Sequence, residues 1–157
     1  MTAAPVVRVI DCHAARQTPE GWQYLVLRRA PDRYDAGRWR VVTGKIEAGE
    51  TAWQTALREL REETALEAQR LIAVPYVNQF YEWQHDRINA IPVFLAVVAA
   101  DVSVTLDDEH VEAEWLPFDA AVERLAWPGQ REGMAAADSL LTGAASVEAF
   151  EIDPEFS

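Results

Sequence analysis

The sequence predicts a fold that combines helices and strands, of class α/β (α+β). In this fold, helices lie on both sides of a mixed β-sheet. Several short segments rich in β-branched and aromatic residues are separated by turn signals, as in a sheet. Residues 51–64 change to helical spacing, and two further helical segments follow near the end of the chain. Residues 93–99 are nearly all apolar, which is typical of a strand covered on both faces. These patterns together favour a sheet packed between helices.

The strands are predicted from short apolar runs bounded by turn residues. We expect them at residues 6–10, 22–27, 39–43, 71–82, 89–99 and 113–116. The turn signals Thr18-Pro19-Glu20-Gly21 join the first two strands in a hairpin, and residues 28–37 form a polar loop. Residues 102–106 either extend the sheet or form a separate short strand.

Three helices are expected, at residues 51–64, 119–125 and 129–141. In the first, Thr51 is the predicted N-cap. Its apolar side chains recur at helical spacing on one face, at Trp53, Ala56, Leu57 and Leu60. A single domain at residues 1–142 is therefore expected, followed by an acidic and weakly patterned tail at 143–157 that we expect to be flexible.

The composition excludes several classes of protein. The chain has 157 residues with 14 basic and 26 acidic side chains, a formal net charge of −12. Such a surface repels phosphate backbones, so no nucleic-acid partner is expected. The only cysteine is Cys12, which rules out an intrachain disulfide and a cysteine-ligated zinc cluster. No apolar run has the length of a membrane helix and the N-terminus has no signal-peptide pattern, so we expect no membrane partner and a cytoplasmic location.

The acidic residues concentrate on one face of the first helix. Glu59, Glu62 and Glu63 stand at positions i, i+3 and i+4, where like charges repel one another. A hard divalent cation such as Mg²⁺ removes this repulsion, because it binds a few carboxylates and keeps several waters. An acidic face that serves only solubility is the plainer interpretation of such a run. Before the helix, Gly44 and the loop that follows it could bring a backbone carbonyl to the same metal.

The run from Gly44 to Leu66 resembles the Nudix box, Gly-x5-Glu-x7-Arg-Glu-U-x-Glu-Glu-x-Gly-U, where U is a bulky aliphatic residue. The matching residues are Gly44, Glu50, Arg58, Glu59, Leu60, Glu62, Glu63 and Leu66. One position departs from the pattern, since Ala65 replaces the second glycine, which would suit a left-handed helix end. The resemblance implies the Nudix fold and hydrolysis of a nucleoside diphosphate linked to another group.

Carried over onto this sequence, the resemblance implies a role for each residue of the motif. Glu59, Glu62 and Glu63 would be the carboxylate ligands of Mg²⁺, with Mn²⁺ as an alternative, and the carbonyl of Gly44 would join them. Arg58 and Glu50 would be the pair that orients the loop against the helix.

The resemblance extends beyond the box. Residues 38–51 are similar to the corresponding stretch of bacterial dihydroneopterin triphosphate and dATP pyrophosphatases. Glu109-His110, ahead of Trp115-Leu116, is similar to a Glu-His element of those enzymes that also occurs in diadenosine tetraphosphate hydrolases. Glu109 is therefore the candidate general base or additional metal ligand, with a solvated loop carboxylate as the plainer interpretation.

The expected catalytic residues are thus Glu62, Glu63, Glu109 and Arg58. Cations for the phosphates could come from Arg28 and Arg29, which end a strand, or from Lys45, although solvated side chains are the commoner outcome at such positions. Aromatic side chains such as Trp39 and Tyr81 could stack on a base, although most aromatic residues belong to the core.

The function expected from these features is Mg²⁺-dependent cleavage of a nucleoside or pterin triphosphate into monophosphate and pyrophosphate. A diadenosine polyphosphate hydrolase is the near alternative, and a non-enzymatic Nudix ligand-binding module is a more distant one. RNA decapping is disfavoured, because the acidic surface offers no track for a strand. The partner is then a small molecule, and the sequence leaves the oligomeric state open, with a homodimer as one option.

Overall fold

The computed structural model describes residues 3–143 and 146–155. Within these residues, eight strands, three α-helices and one 3₁₀ helix follow one another. The strands are β1 (Ala4–Val6), β2 (Val9–Thr18), β3 (Gly21–Arg29), β4 (Trp39–Arg40), β5 (Val42–Lys45), β6 (Arg70–Glu82), β7 (Arg87–Val97) and β8 (His110–Leu116). The helices are α1 (Ala52–Thr64), α2 (Phe118–Arg124), α3 (Pro128–Thr142) and the 3₁₀ helix Val147–Phe150.

The strands form one mixed sheet. Strand β7 pairs in parallel with β1 and β2 and antiparallel with β6. Strand β3 pairs antiparallel with β2, β4 and β8, and the short strand β5 pairs antiparallel with the first half of β2. The parallel pairs need crossover connections, and the segment with α1 supplies one of them. The mixed sheet expected from the sequence is confirmed.

Two hydrophobic cores lie on the two faces of the sheet. One packs the sheet against α1, and the other packs it against α2 and α3. Consecutive residues of β7 alternate between them, since Val93 and Leu95 belong to the second core and Phe94 and Ala96 to the first. The apolar run in β7 is therefore covered on both faces, and the helices sandwich the sheet as predicted.

The first helix follows its sequence signals closely. Thr51 is the N-cap, and its hydroxyl accepts a hydrogen bond from the backbone of Gln54, whose side chain accepts one from the backbone of Thr51 in return. The helix ends at Ala65 in the left-handed conformation, with φ of 61°. Ala65 thus takes the backbone geometry that a glycine would adopt without strain.

Several strand boundaries differ from the expectation. Strand β2 runs from Val9 to Thr18 instead of residues 6–10, because Asp11 and His13 are buried polar residues that interrupt its apolar pattern. The segment expected as one strand at 39–43 is two strands, since β4 pairs with β3 and β5 pairs with β2. Strand β8 already begins at His110, ahead of the expected start at residue 113.

The segment at residues 102–106 does not form a strand. Val104 and Leu106 pack against the α1 core, and the backbone of Thr105 donates a hydrogen bond to Thr64 at the end of α1. The apolar residues in this segment therefore serve packing without joining a ladder.

The described part of the C-terminal segment has contacts that its weak pattern did not indicate. Phe150 packs against the second core, Glu151 pairs with Ile72 of β6, and Arg70 forms an ion pair of 2.6 Å with Glu151. Residues 144–145 and 156–157 of the expected tail lie outside the described residues. Within the described part of the chain, none of the helices combines the length and hydropathy needed to cross a membrane.

Candidate active site

The carboxylates of α1 differ strongly in their surroundings. Glu62 is exposed, with 57% of its side chain accessible, whereas Glu59 is 12% accessible and Glu63 only 1%. The three residues share a helix face as predicted, but that face runs from solvent at Glu62 to the sheet at Glu63. The site therefore lies at the edge where α1 meets the sheet.

Arg58 joins the helix to the loop that precedes it. Its Nε donates to Glu50 over 2.7 Å, and one terminal nitrogen donates to a second Glu50 oxygen and to the carbonyl of Lys45, each over 2.9 Å. Glu50 also accepts from the backbone of Glu47 and from the hydroxyl of Thr55. These hydrogen bonds, with the one from Arg58 foremost, lower the pKa of Glu50 to about 2. The expected pairing of Arg58 with Glu50 is thus present.

The same guanidinium holds two of the helix carboxylates. The other terminal nitrogen of Arg58 lies 2.8 Å from Glu59 Oε1 and 3.1 Å from Glu62 Oε2. One positive charge thus screens two negative ones, which keeps both carboxylates near each other on the helix surface. Arg58 consequently has every nitrogen engaged in a hydrogen bond with Glu50, Glu59, Glu62 or the Lys45 carbonyl.

Glu63 is a buried carboxylate without compensation. Among the described residues neither of its oxygens has a hydrogen-bond partner, and His110 Nε2 lies 3.8 Å from Oε1. Burial, followed by the neighbouring carboxylate of Glu59, raises the pKa of Glu63 to about 10. Folding therefore places here a group that would be costly unless a proton or a cation accompanies it.

Gly44 lies directly against Glu59. A methyl group added at Gly44 would overlap the carboxylate of Glu59, so any larger residue here would force the Glu59 side chain out of its present position. The close approach brings the backbone of Gly44 beside the Glu59 carboxylate.

The strand that carries Gly44 is itself held from the other side of the sheet. Asp11 of β2 accepts hydrogen bonds from Thr43 over 2.7 Å, from Asn78 over 3.1 Å and from Gln130 over 3.2 Å. Burial raises the pKa of Asp11. This buried polar network ties β2, β5, β6 and α3 together one residue away from Gly44, so it fixes the position of the glycine relative to α1.

The carboxylates of α1 could bind a divalent cation, although they do not converge on one point in this structure. Among the residues that the structure describes, no three carboxylate, imidazole or thiol groups already converge as a metal site. Arg58 occupies the space between Glu59 and Glu62 and draws both toward itself. The partnerless oxygens of Glu63, beside Glu59, are the feature that a hard cation would satisfy. Glu59, Glu62, Glu63 and the Gly44 carbonyl are therefore the residues that could hold Mg²⁺.

Glu109 is paired with one of the arginines predicted to bind substrate. Its carboxylate lies 3.2 Å from Arg29 Nη1, and Arg29 Nε donates to the carbonyl of Tyr34. Partial burial raises the pKa of Glu109, but the hydrogen bond from Arg29 and nearby positive charge outweigh it, so the net pKa is lowered. Arg29 is thus engaged in holding Glu109 in its ionised form.

Three ionisable side chains near Glu63 were not predicted as site residues from the sequence. Arg40 Nε donates to His110 Nε2 over 3.3 Å, and His110 Nδ1 lies 3.0 Å from Asp107 Oδ1. Burial lowers the pKa of His110, and the contact with Asp107 only partly opposes this. In the sequence, Arg40 is a charged residue in a β-branched segment just before the Nudix box. That position alone does not indicate which way its side chain points.

The other residues predicted to bind substrate are more dispersed. Arg28 is largely exposed and forms an ion pair of 2.7 Å with Glu112, and the Lys45 side chain is exposed. Trp39 lies on β4, and the guanidinium carbon of Arg124 lies 4.7 Å from the centre of its ring. Tyr81 lies on β6, separated from β4 by β7, β2 and β3, and its hydroxyl contacts Asp86. The structure therefore does not bring Trp39 and Tyr81 to one place.

Known proteins are similar to this chain in sequence and in fold. The chain is 35% identical over 137 residues, 83% of its length, to a protein of Myxococcus xanthus called octanoyltransferase, of which it covers 36%. It is 32% identical over 54% of its length to the asymmetrical bis(5′-nucleosyl)-tetraphosphatase of Rattus norvegicus, covering 59% of that enzyme. The chain thus spans between about a third and three-fifths of the length of the curated relatives it matches.

A solved structure is similar over most of the chain. The dihydroneopterin triphosphate pyrophosphohydrolase of E. coli superimposes with a TM-score of 0.68 at 25% identity, covering 85% of this chain and 95% of that one. The mixed sheet between helices, with the carboxylate helix at its edge, is the architecture of a NUDIX domain. The family model described as the NUDIX domain matches residues 4–137, so the chain belongs to the NUDIX family.

Proposed function

We propose that the chain hydrolyses a nucleoside or pterin triphosphate to a monophosphate and pyrophosphate, with Mg²⁺ as cofactor and Mn²⁺ as an alternative. The observation that carries the proposal is Glu63, which is buried and partnerless beside Glu59. Such a group costs stability, so its presence is better explained by a ligand than by the fold. A hard divalent cation is the ligand that clustered carboxylates favour.

The residues of the site then divide into three roles. Glu59, Glu62, Glu63 and the carbonyl of Gly44 hold the metal, which when bound neutralises phosphate charge and lowers the pKa of a bound water. Arg58 keeps Glu59 and Glu62 together and anchors the preceding loop through its hydrogen bonds to Glu50.

Glu109 is the carboxylate from outside the helix. Its ion pair with Arg29 keeps it ionised, which suits an additional metal ligand better than a general base, because a lowered pKa weakens a base. The same ion pair makes Arg29 the residue that positions Glu109, whereas Arg28, Lys45, Trp39 and Tyr81 remain candidates for contact with substrate.

The similarity to the E. coli dihydroneopterin triphosphate pyrophosphohydrolase supports a triphosphate as the substrate. A diadenosine polyphosphate is the second candidate, supported by the identity to the rat tetraphosphatase. Acyl transfer is not proposed, because the chain matches only 36% of the M. xanthus protein that carries that name.

A substrate panel with resolved products tests the proposal. The purified chain is incubated with Mg²⁺ and dATP, the other nucleoside triphosphates, 8-oxo-dGTP, dihydroneopterin triphosphate, diadenosine tetraphosphate, ADP-ribose and a dinucleotide coenzyme. Pyrophosphate and a monophosphate from one or two triphosphates are the expected result. ATP and AMP from diadenosine tetraphosphate alone would replace the proposal with the second candidate, and no turnover despite measured metal binding would favour a ligand-binding module.

A further inference from the structure

Three arginine side chains reach the candidate site, and they differ in how many of their donors are used. Arg58 is engaged at every nitrogen, and Arg29 is engaged at Nε and Nη1. Arg40 makes one side-chain hydrogen bond, from Nε to His110. Among the described residues, its two terminal nitrogens have no hydrogen-bond partner and no carboxylate within 4 Å.

The guanidinium of Arg40 is nevertheless held firmly. His110 Nδ1 donates to Asp107, which leaves Nε2 as the acceptor for Arg40 Nε. The imidazole is fully buried, and the backbone of Arg40 pairs with Leu27 in the sheet. Asp107 and His110 thus fix the direction of the Arg40 side chain in the way that outer hydrogen bonds fix the residues of other sites.

Arg40 also lies close to the candidate metal carboxylates. His110 Nε2 lies 3.3 Å from Arg40 Nε and 3.8 Å from Glu63 Oε1, so one imidazole nitrogen contacts both the guanidinium and the buried carboxylate. A guanidinium close to the candidate metal carboxylates, with its fork of terminal donors uncommitted, matches the geometry that binds phosphate oxygens in pairs.

We propose that Arg40 binds non-bridging phosphate oxygens of the substrate through its terminal nitrogens, with His110 and Asp107 as the positioning residues that aim it. This inference rests on the proposed function and assigns the phosphate contact to a residue of β4 beside Glu63. Arg28 and Lys45, the more exposed cations, then need not supply that contact.

The test is binding of inorganic tripolyphosphate and of a non-hydrolysable nucleoside triphosphate analogue with Mg²⁺, measured by calorimetry on the full chain. The variants are Arg40→Gln, Arg40→Lys and Asp107→Ala. Arg61→Gln is the control. Arg61 is an exposed residue of α1 that pairs with Glu67 beyond the helix end, and its replacement removes the same charge as Arg40→Gln. Tripolyphosphate has no base, so a loss of affinity for it reports the phosphate contact alone.

We expect Arg40→Gln to weaken binding of both ligands at least tenfold, and Arg40→Lys to recover part of the affinity, because lysine restores the charge without the fork. Asp107→Ala should weaken binding about threefold, and Arg61→Gln less than twofold. In turnover, Arg40→Gln should raise KM more than it lowers kcat. Equal affinity in wild type and a folded Arg40→Gln protein would overturn the assignment of Arg40 alone, whereas a wild-type chain that binds neither ligand would overturn the proposed function as well.

Discussion

Replacing Glu63 by glutamine should make the metal-free protein more stable at neutral and alkaline pH. The pKa of Glu63 is raised to about 10 in the folded state, whereas an unfolded glutamate titrates near its ordinary value. The folded form therefore retains a proton that the unfolded chain has lost. The free energy of unfolding is therefore unaffected by Glu63 below the pKa that this residue has in the unfolded chain. It falls as the pH rises from that value toward the higher pKa of the folded state.

The size of this effect follows from proton linkage. One proton of difference between the two states changes the free energy of unfolding by at most about 1.4 kcal/mol per pH unit. Between about pH 5 and pH 8, the wild-type chain should thus lose up to ~4 kcal/mol relative to Glu63→Gln. For a chain of this length, each kcal/mol corresponds to roughly 2–4 °C in Tm.

The assay is thermal and urea unfolding in EDTA across that pH range, for wild type, Glu63→Gln and Glu123→Gln. Glu123 is exposed on α2, so its replacement controls for the loss of a surface charge. The Tm difference between wild type and Glu63→Gln should widen with pH, and Mg²⁺ should stabilise the wild type more at higher pH, because the ligand must be ionised. Parallel pH curves for wild type and Glu63→Gln would refute the reasoning.

Four further substitutions test other parts of the account. Gly44→Ala places a methyl group on the carboxylate of Glu59, so kcat/KM should fall by about 10²-fold or more, measured by pyrophosphate release. Glu109→Gln removes an ionised carboxylate and should lower kcat by about 10²-fold or more with little change in Tm. Ala65→Gly should raise the free energy of unfolding in urea by ~0.5–1 kcal/mol, because φ is positive there. Thr51→Ala should lower it by ~1 kcal/mol through loss of the N-cap.

The outcomes that contradict these predictions are distinct. Full activity of Gly44→Ala would mean that the present position of the Glu59 carboxylate is not required. Unchanged kcat in Glu109→Gln would leave Glu109 as a structural partner of Arg29. An Ala65→Gly protein that is less stable would mean that the left-handed conformation costs less than the added freedom of the unfolded chain.

The sequence was most informative where local rules decide the structure. The N-cap at Thr51, the helical stripe and the spacing of the acidic residues depend only on neighbours along the chain, and α1 formed as predicted. The close pairing of Arg58 with Glu50 likewise joins residues eight positions apart. These features needed no knowledge of the tertiary fold.

The features that sequence reasoning missed depend on contacts between distant segments. Strand β2 was placed too early because Asp11 and His13 interrupt the apolar pattern, although both are buried. Asp11 is accommodated there by hydrogen bonds from Thr43, Asn78 and Gln130, which lie on other elements. The break within residues 39–43 exists because the chain passes from one strand partner to another there.

The unequal burial of the site residues has the same origin. Spacing puts Glu62 and Glu63 on one face of α1, but only the sheet packed beneath the helix makes Glu63 buried while Glu62 stays exposed. Arg40 and His110 are 70 positions apart, so nothing in the local pattern joins them.

The most direct test of the central claim is Mg²⁺-dependent pyrophosphate release from the triphosphates of the substrate panel, compared between wild type and Glu62→Gln. Glu62 is exposed and its replacement should leave Tm within about 1–2 °C, because surface substitutions cost little stability. We expect the wild type to release pyrophosphate and Glu62→Gln to be slower by about 10²-fold or more. Equal rates in the two proteins, or no pyrophosphate from any triphosphate with a wild type that binds Mg²⁺, would contradict the account.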